Sequence, residues 1–193
     1  MNMQRIGAAA GILAPIVAFT CILVAIESYP KFSWTNNALS DLGVVNGVSG
    51  PLFNFGLYVC GFLAVIFAVL SLYSYFGKNI VGKVGAGFFV AASTALICIG
   101  VFNENFSPTH YLVSVAFFVL LPISLFIFTV AFELRHQAKM SLLTIAVALV
   151  AAAPWILYFT LHYVVGVAIP ETISGLAGSL WIIVLGFKIQ KQK

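Results

Sequence analysis

Charged side chains are scarce in this sequence. Only 7% of its 193 residues are Asp, Glu, Lys or Arg, whereas 62% are hydrophobic. A soluble globular domain usually has about a quarter of its residues charged, so the scarcity excludes a soluble protein and indicates helices that face lipid. The basic residues that give the net charge of +4 are scattered along the chain and form no patch for nucleic acid.

Several patterns that would indicate a particular fold or chemistry are missing as well. No run alternates polar and apolar residues over the roughly 10 positions of a transmembrane β-strand. The chain has no HExxH pair for a metal, no Gly-x-Ser-x-Gly elbow and no glycine-rich phosphate loop. The three cysteines, Cys21, Cys60 and Cys98, lie within apolar runs, which predicts buried thiols rather than a disulfide framework.

The sequence instead contains six long apolar runs separated by short polar breaks. Each run has the length of a membrane span, about 20 residues, and is apolar on all sides, as lipid-embedded helices are. These runs predict an all-α fold: a single domain, residues 1–193, that forms an integral membrane bundle of six transmembrane helices. The predicted helices cover residues 6–27, 51–76, 80–102, 108–133, 140–164 and 170–188.

The charges predict how this bundle is oriented. In an alternating bundle nearly all basic residues gather at one end. They are Arg5, Lys78, Lys83, Arg135, Lys139, Lys188, Lys191 and Lys193. Glu27, Asp41, Glu104 and Glu171 gather at the opposite end, where Lys31 is the single basic residue. By the positive-inside rule the basic end is cytoplasmic. The sequence thus predicts a multi-pass protein of the cell membrane with both termini in the cytoplasm.

Prolines and glycines predict how the helices start and pack. Pro51, Pro108 and Pro170 fall in the first turns of three helices, where a missing N–H costs no hydrogen bond, and Ser107 is a candidate N-cap. The glycine cluster of the third helix predicts a close approach to a neighbouring helix. Its members are Gly82, Gly85 and Gly87.

The longest connection in the chain is predicted at the non-cytoplasmic end, over residues 28–50. Among its apolar residues it contains Trp34, Asn36, Asn37, Ser40, Asp41 and Asn46. This composition indicates a short helix or re-entrant segment that lies on the bundle rather than a freely solvated loop.

Ionisable and amide side chains are predicted to gather at the same end. Groups of this kind near membrane depth are costly and mark functional sites. The candidate catalytic or metal-binding groups are Asp41, Glu104 and His110, and the candidate ligand-binding groups are Ser40, Asn54, Asn103, His162 and Glu171. Structural roles compete with this interpretation, because Glu171 complements a helix dipole and Glu104 and His110 are close enough in sequence to bond to each other.

These candidates predict an outward-facing polar site for a lipid headgroup or a small amphipathic ligand. The most specific hypothesis is a lipid-modifying enzyme in which Zn²⁺, held by histidine and carboxylate ligands, activates a water. A haem held by His110 and His162 lacks any second supporting feature. The expected partners are membrane lipids, and nucleic acid is not among them.

Two other classes of function stay open. An accessory or structural subunit of a membrane complex needs no chemistry, and its partners are other membrane subunits. A small-molecule transporter uses broken helices and polar groups inside the membrane. The centres of the predicted spans carry no charge, and no inverted repeat is evident, so the transporter is the weaker alternative.

Short motifs along the chain resemble a known family. They are Asn-Ala-Leu-Ser-Asp-Leu-Gly at 37–43, Phe-Asn-Phe-Gly at 53–56, Gly-Val-Phe-Asn-Glu at 100–104 with His110 after it, and Phe-Phe at 117–118. The set is similar to the prokaryotic membrane-protein family catalogued as domain of unknown function 998, over most of the chain. Members often have Phe-Pro-Glu where this chain has Phe-Asn-Glu. The resemblance implies a six-span protein and singles out Ser40, Asp41, Asn54, Glu104 and His110, but it implies no activity.

Overall fold

The computed structural model describes residues 2–192, which form helices and connecting turns without a β-strand. Six helices are long and apolar enough to cross a membrane. They are α1 (Met3–Glu27), α2 (Ser49–Phe76), α3 (Ile80–Val101), α4 (Thr109–Glu133), α5 (Ala138–Leu161) and α6 (Ala168–Gln190). Helix α2 includes a π-helical stretch, Ala68–Leu72, and 3₁₀ helices cover Ser40–Val44 and Glu104–Phe106. The all-α membrane bundle is therefore confirmed.

The helices pack in chain order around a closed ring. Each helix contacts the next one, and α1 closes the ring against α6. The chain ends meet, because Arg5 Nη2 donates to Gln192 O at 2.9 Å and Gln190 Nε2 donates to Arg5 O at 2.6 Å. We call this end of the bundle the basic end. The opposite, acidic end carries the connections 28–48, 102–108 and 162–167.

Aromatic side chains fill the half of the bundle toward the basic end. Phe67, Phe128 and Trp181 are fully buried, and the Trp181 ring stacks on Phe128 with centroids 4.9 Å apart. Trp181 Nε1 donates to Thr144 Oγ1 at 3.0 Å, so the indole N–H is satisfied although it lies inside the bundle. Large aromatic groups with paired polar atoms pack this half densely.

The helices that contain the predicted N-terminal prolines start within two residues of the predicted positions. Pro51 and Pro170 are the third residues of α2 and α6. A backbone N–H at this position would have no acceptor within the helix, so proline loses no hydrogen bond there. Pro108 instead occupies the N-cap position of α4, so the prediction that Ser107 is the N-cap is wrong. Ser107 is extended and ends the preceding 3₁₀ helix, and that turn displaces the start of α4 by one residue.

The glycine cluster of α3 faces two different ways. Gly82 lies against the Phe76 ring, and a Cβ on Gly85 would lie 2.9 Å from the Phe128 ring. Gly87 is exposed on the outside of the bundle and has no heavy atom within 4 Å of its Cβ position. The predicted close approach is therefore confirmed for Gly82 and Gly85 and wrong for Gly87, which points toward lipid.

The first connection of the acidic end lies on the bundle as predicted. Its 3₁₀ helix, Ser40–Val44, buries Ser40, Leu42 and Gly43 against the helix ends, and Leu42 is fully enclosed. We call residues 33–45 the cap segment. It covers the end of the ring that the aromatic cluster does not fill.

Candidate binding site at the acidic end

The cap segment is docked onto the connection that precedes α6. The N–H groups of Val165 and Gly166 donate to Thr35 O at 3.0 and 2.8 Å, and Ala168 N donates to Asn37 O at 2.9 Å. A Cβ on Gly166 would overlap the cap backbone, which explains the glycine there. Two connections far apart in sequence thus form one lid.

Asp41 organises the cap segment from within. Its Oδ2 accepts from Asn37 Nδ2 at 2.6 Å and from Ala38 N at 3.0 Å. A carboxylate that accepts from backbone and amide groups a few residues earlier stabilises a tight turn. The predicted catalytic residue therefore has a clear structural role.

Asn54 fixes the other side of the cap segment. Its Nδ2 donates to Gly43 O at 2.9 Å, and a Cβ on Gly43 would lie 2.5 Å from Asn54 Oδ1. A side chain at position 43 would push the amide away. Two of the motifs that carry the family resemblance, at 37–43 and 53–56, therefore meet in this contact.

Glu171 joins the cap segment to α6. Its Oε2 accepts from Leu39 N at 2.6 Å, and the residue is only 9% exposed. Glu171 stands in the first turn of α6, where the helix dipole favours a negative charge. One carboxylate oxygen of α6 thus holds the cap segment through a residue that lies 132 positions earlier in the sequence.

Glu104 lies near the cap on a turn of its own. Asn103 Oδ1 accepts from Asn105 N at 3.2 Å and so caps the 3₁₀ helix that presents Glu104. Burial raises the pKa of Glu104, the neighbouring Ser40 hydroxyl and His110 oppose that rise, and the negative charge of Asp41 adds to it. Glu104 is therefore a neighbour of Ser40, Asp41 and His110.

His110 is buried at the start of α4 with both ring nitrogens engaged. Nδ1 lies 2.7 Å from Phe102 O, and Nε2 lies 3.4 Å from Ser114 Oγ. A carbonyl oxygen only accepts, so Nδ1 carries a proton. In the neutral ring this leaves Nε2 as an acceptor for the Ser114 hydroxyl.

A cavity of about 120 Å³ lies beneath the cap segment, between α1, α2, α3, α4 and α6. Most of its lining is aliphatic or aromatic, including Leu57, Leu96 and Phe117. Ser40 and Glu171 lie at its capped end, where Thr172 also lines it. The arrangement is an apolar chamber with polar groups at one end.

Two expectations about the site find no counterpart in the structure. Residues 2–192 contain no group of three or more His, Cys, Asp or Glu side chains that could hold a metal ion, so Asp41, Glu104 and His110 do not form one. His162 is exposed just past the end of α5 in a left-handed conformation, with φ of 48°. Its side chain has no hydrogen bond to the other candidates within the described chain, and it does not pair with His110.

Sequence reasoning missed Leu39, Ser114 and Thr172. Ser114 had a usable signal, since it is four residues after His110 and therefore on the same helix face. The backbone N–H of Leu39 and the Thr172 hydroxyl had none, because only the docked cap segment shows what lies beside them.

Comparison with known proteins places the chain in a family without a described activity. No curated protein and no solved structure matches it. The model of the family described as "Protein of unknown function (DUF998)" matches residues 12–188, which include all the motifs quoted above. The chain is a multi-pass membrane protein that belongs to the DUF998 family.

Proposed function

We propose that this protein binds a single-chain amphiphile, with the apolar tail in the central cavity and the polar head beneath the cap segment. The observation that carries the proposal is the one-sided polarity of the cavity. Its two deeper hydroxyls, Ser93 and Ser179, donate to the backbone oxygens of Phe89 and Gly175 at 2.8 and 2.7 Å. The tail region therefore offers a ligand almost only apolar surface, which suits hydrocarbon.

The volume is consistent with a hydrocarbon tail. An engineered apolar cavity of about 150 Å³ stays dry and binds benzene, and the cavity beneath the cap is about 120 Å³. A short alkyl chain, or one end of a longer chain, is the fitting occupant. The positive-inside rule assigns the basic end to the cytoplasm, so the head of the ligand lies on the non-cytoplasmic side.

Photo-crosslinking tests the proposal. A decyl amphiphile with a diazirine near the tail end is supplied with an amine, an alcohol or a phosphate head to the protein in nanodiscs. We expect at least one of these probes to label cavity residues such as Leu57, Leu96 and Leu121. Labelling confined to the exposed outer residues Leu23 and Leu142 with every probe contradicts the proposal.

A pair of leucine substitutions makes this test specific. Gly175 lines the cavity, and the nearest heavy atom to its Cβ position is Phe19 Cζ at 3.5 Å, an ordinary contact. The substitution Gly175→Leu therefore fills space without striking backbone and should abolish cavity labelling. The matched control is Gly87→Leu, since Gly87 faces open space and the cavity stays unchanged.

The contact between His110 and Ser114 favours a second candidate, an acyl hydrolase. Ser114 lines the cavity, His110 Nε2 is its base, and Phe102 O orients the ring, an arrangement typical of activated nucleophiles. Ser114 Oγ would bond to an ester carbonyl carbon as its proton passes to Nε2. The ester C–O bond then breaks while Nε2 returns the proton to the departing oxygen, so the alcohol leaves. Water hydrolyses the acyl-serine that remains, which releases the acid and restores the Ser114 hydroxyl.

A fluorophosphonate probe tests this candidate. Labelling that disappears in Ser114→Ala and persists in Ser179→Ala supports it, because Ser179 also lines the cavity but its hydroxyl donates to a backbone oxygen. A wild-type protein that takes up no probe removes the hydrolase and leaves binding alone.

A further inference from the structure

We propose that the head of the bound amphiphile is an aliphatic ammonium group and that the Glu171 carboxylate receives it. The inference rests on the proposed binding of a single-chain amphiphile and adds the chemical class of the ligand. It depends on which hydrogen-bonding atoms at the capped end of the cavity have no partner in the protein, and on the charge of the ionisable groups around them.

Glu171 is the cavity-lining residue with the most unused capacity. An ionised carboxylate accepts about four hydrogen bonds. Oε2 has one from Leu39 N at 2.6 Å, and Oε1 has no hydrogen-bond partner among residues 2–192, although the residue is only 9% exposed. A buried carboxyl group ionises at neutral pH only when donors or a cation stabilise its charge. Among residues 2–192 Leu39 N is the single hydrogen-bond donor to Glu171, so a cationic ligand head would supply the partner that the ionised form lacks.

Thr172 adds a second unpaired group at the same end of the cavity. Its Oγ1 is buried and has no hydrogen-bond partner within the described part of the chain, and the residue lines the cavity next to Glu171. Buried hydroxyls are almost always paired. A ligand head at this position would satisfy both side chains.

Most ionisable side chains around this point are acidic. Asp41 and Glu104 are close enough to Glu171 for their charges to act on it. The donors to Asp41 and Glu171 are one amide and two backbone N–H groups, which carry no formal charge. Lys31, the single basic residue of this end in the sequence, is exposed. A phosphate or carboxylate head would be repelled here, whereas a cation would be attracted.

An ammonium group also matches the hydrogen-bond pattern. It offers three donors and no acceptor. Glu171 Oε1 can only accept when ionised, and the Thr172 oxygen has free lone pairs. An alcohol offers one donor without charge, so it would satisfy the carboxylate less completely.

The three decyl photoprobes described above test the inference when they are compared with one another at pH 7 in phosphatidylcholine nanodiscs. We expect the amine to reach half-maximal cavity labelling at about tenfold lower concentration than the alcohol, with the phosphate the weakest. The variant Glu171→Gln keeps an acceptor for Leu39 N but loses the charge, and the preference for amine should vanish. The control Glu27→Gln removes the same charge from an exposed residue of the same end and should keep the preference.

The outcomes separate the two proposals. Equal labelling of the cavity by the amine and the alcohol overturns the ammonium head and leaves amphiphile binding standing. An amine preference that survives in Glu171→Gln also overturns the assignment, because it then reflects accumulation of amine in the bilayer. Labelling of outer residues only, with all three probes, removes both proposals together.

Discussion

Replacing Gly100 by alanine should separate α2 from α3 at the acidic end. A Cβ at this position would lie 2.6 Å from Asn54 O and 2.7 Å from Tyr58 N. Both neighbours are backbone atoms of α2, so no side-chain rotation relieves the overlap. The first distance is about 0.8 Å shorter than the 3.4 Å at which ordinary contact begins, so one helix must move by a comparable amount.

The expected cost follows from two opposing terms. Overpacking a well-packed site typically costs about 1–3 kcal/mol. Alanine is roughly 0.5–1 kcal/mol better than glycine within a helix. The net effect of Gly100→Ala is therefore a loss of up to about 2.5 kcal/mol, with a central value of about 1 kcal/mol. Gly87→Ala on the same helix has no clash and should gain about 0.5–1 kcal/mol.

A thiol-reactive fluorophore on the detergent-solubilised protein measures both variants, since Cys21 is buried and Cys60 and Cys98 are half-buried. About 2–4 °C per kcal/mol is usual for a chain of this length, so the midpoint of Gly100→Ala should lie below wild type and that of Gly87→Ala slightly above. Equal midpoints for the two variants would refute the close approach of α2 and α3. We also expect Gly100→Ala to weaken cavity labelling, because Asn54 positions the cap segment.

Three further substitutions test individual contacts by thermal unfolding. His110→Phe removes the donor to Phe102 O and should cost about 1 kcal/mol; an unchanged midpoint would contradict that bond. Trp181→Phe leaves a void and loses the hydrogen bond to Thr144, which should lower the free energy of unfolding by about 1–3 kcal/mol. An unchanged midpoint would argue against dense packing around Trp181. The raised pKa of Glu104 stabilises the fold below the unfolded pKa of about 4.3, and this contribution is lost as pH rises through the folded pKa. Glu104→Gln should therefore melt higher than wild type at pH 8 but not at pH 4, and the opposite order would refute the effect of burial.

The spans could be predicted because lipid imposes a strong constraint on sequence. A helix that crosses a membrane must be predominantly apolar over about 20 residues, and every predicted boundary lies within three residues of the structure. Errors arose where local geometry decides. Ser107 is not the N-cap because of the 3₁₀ turn before it. His162 lies outside the helix because α5 ends at Leu161, three residues before its predicted end.

The candidate site could be predicted only in outline. Charged residues of the acidic end had to share a small surface, so the proximity of Asp41, Glu104 and His110 followed from topology. The bond from Leu39 N to Glu171 joins positions 132 residues apart, and no local pattern encodes it. The cavity forms where the faces of five helices do not pack against one another, and patterns in a single sequence do not contain that information.

The motifs that resemble the DUF998 family gain a physical explanation from the cap segment. Asp41 shapes the turn, Gly43 leaves room for the Asn54 amide, and Gly100 lets α3 lie against the backbone of α2. These residues form the cap segment and the helix surfaces that support it. The groups proposed to meet the ligand, Glu171 and Thr172, lie outside the quoted motifs, on α6.

Native mass spectrometry of the gently extracted protein tests directly whether the cavity beneath the cap segment holds an amphiphile. We expect wild type to carry one bound amphiphile with a basic nitrogen, Gly87→Leu to retain it and Gly175→Leu to have lost it. A wild-type protein that carries no more amphiphile than Gly175→Leu would contradict the claim that the cavity beneath the cap segment is a binding site.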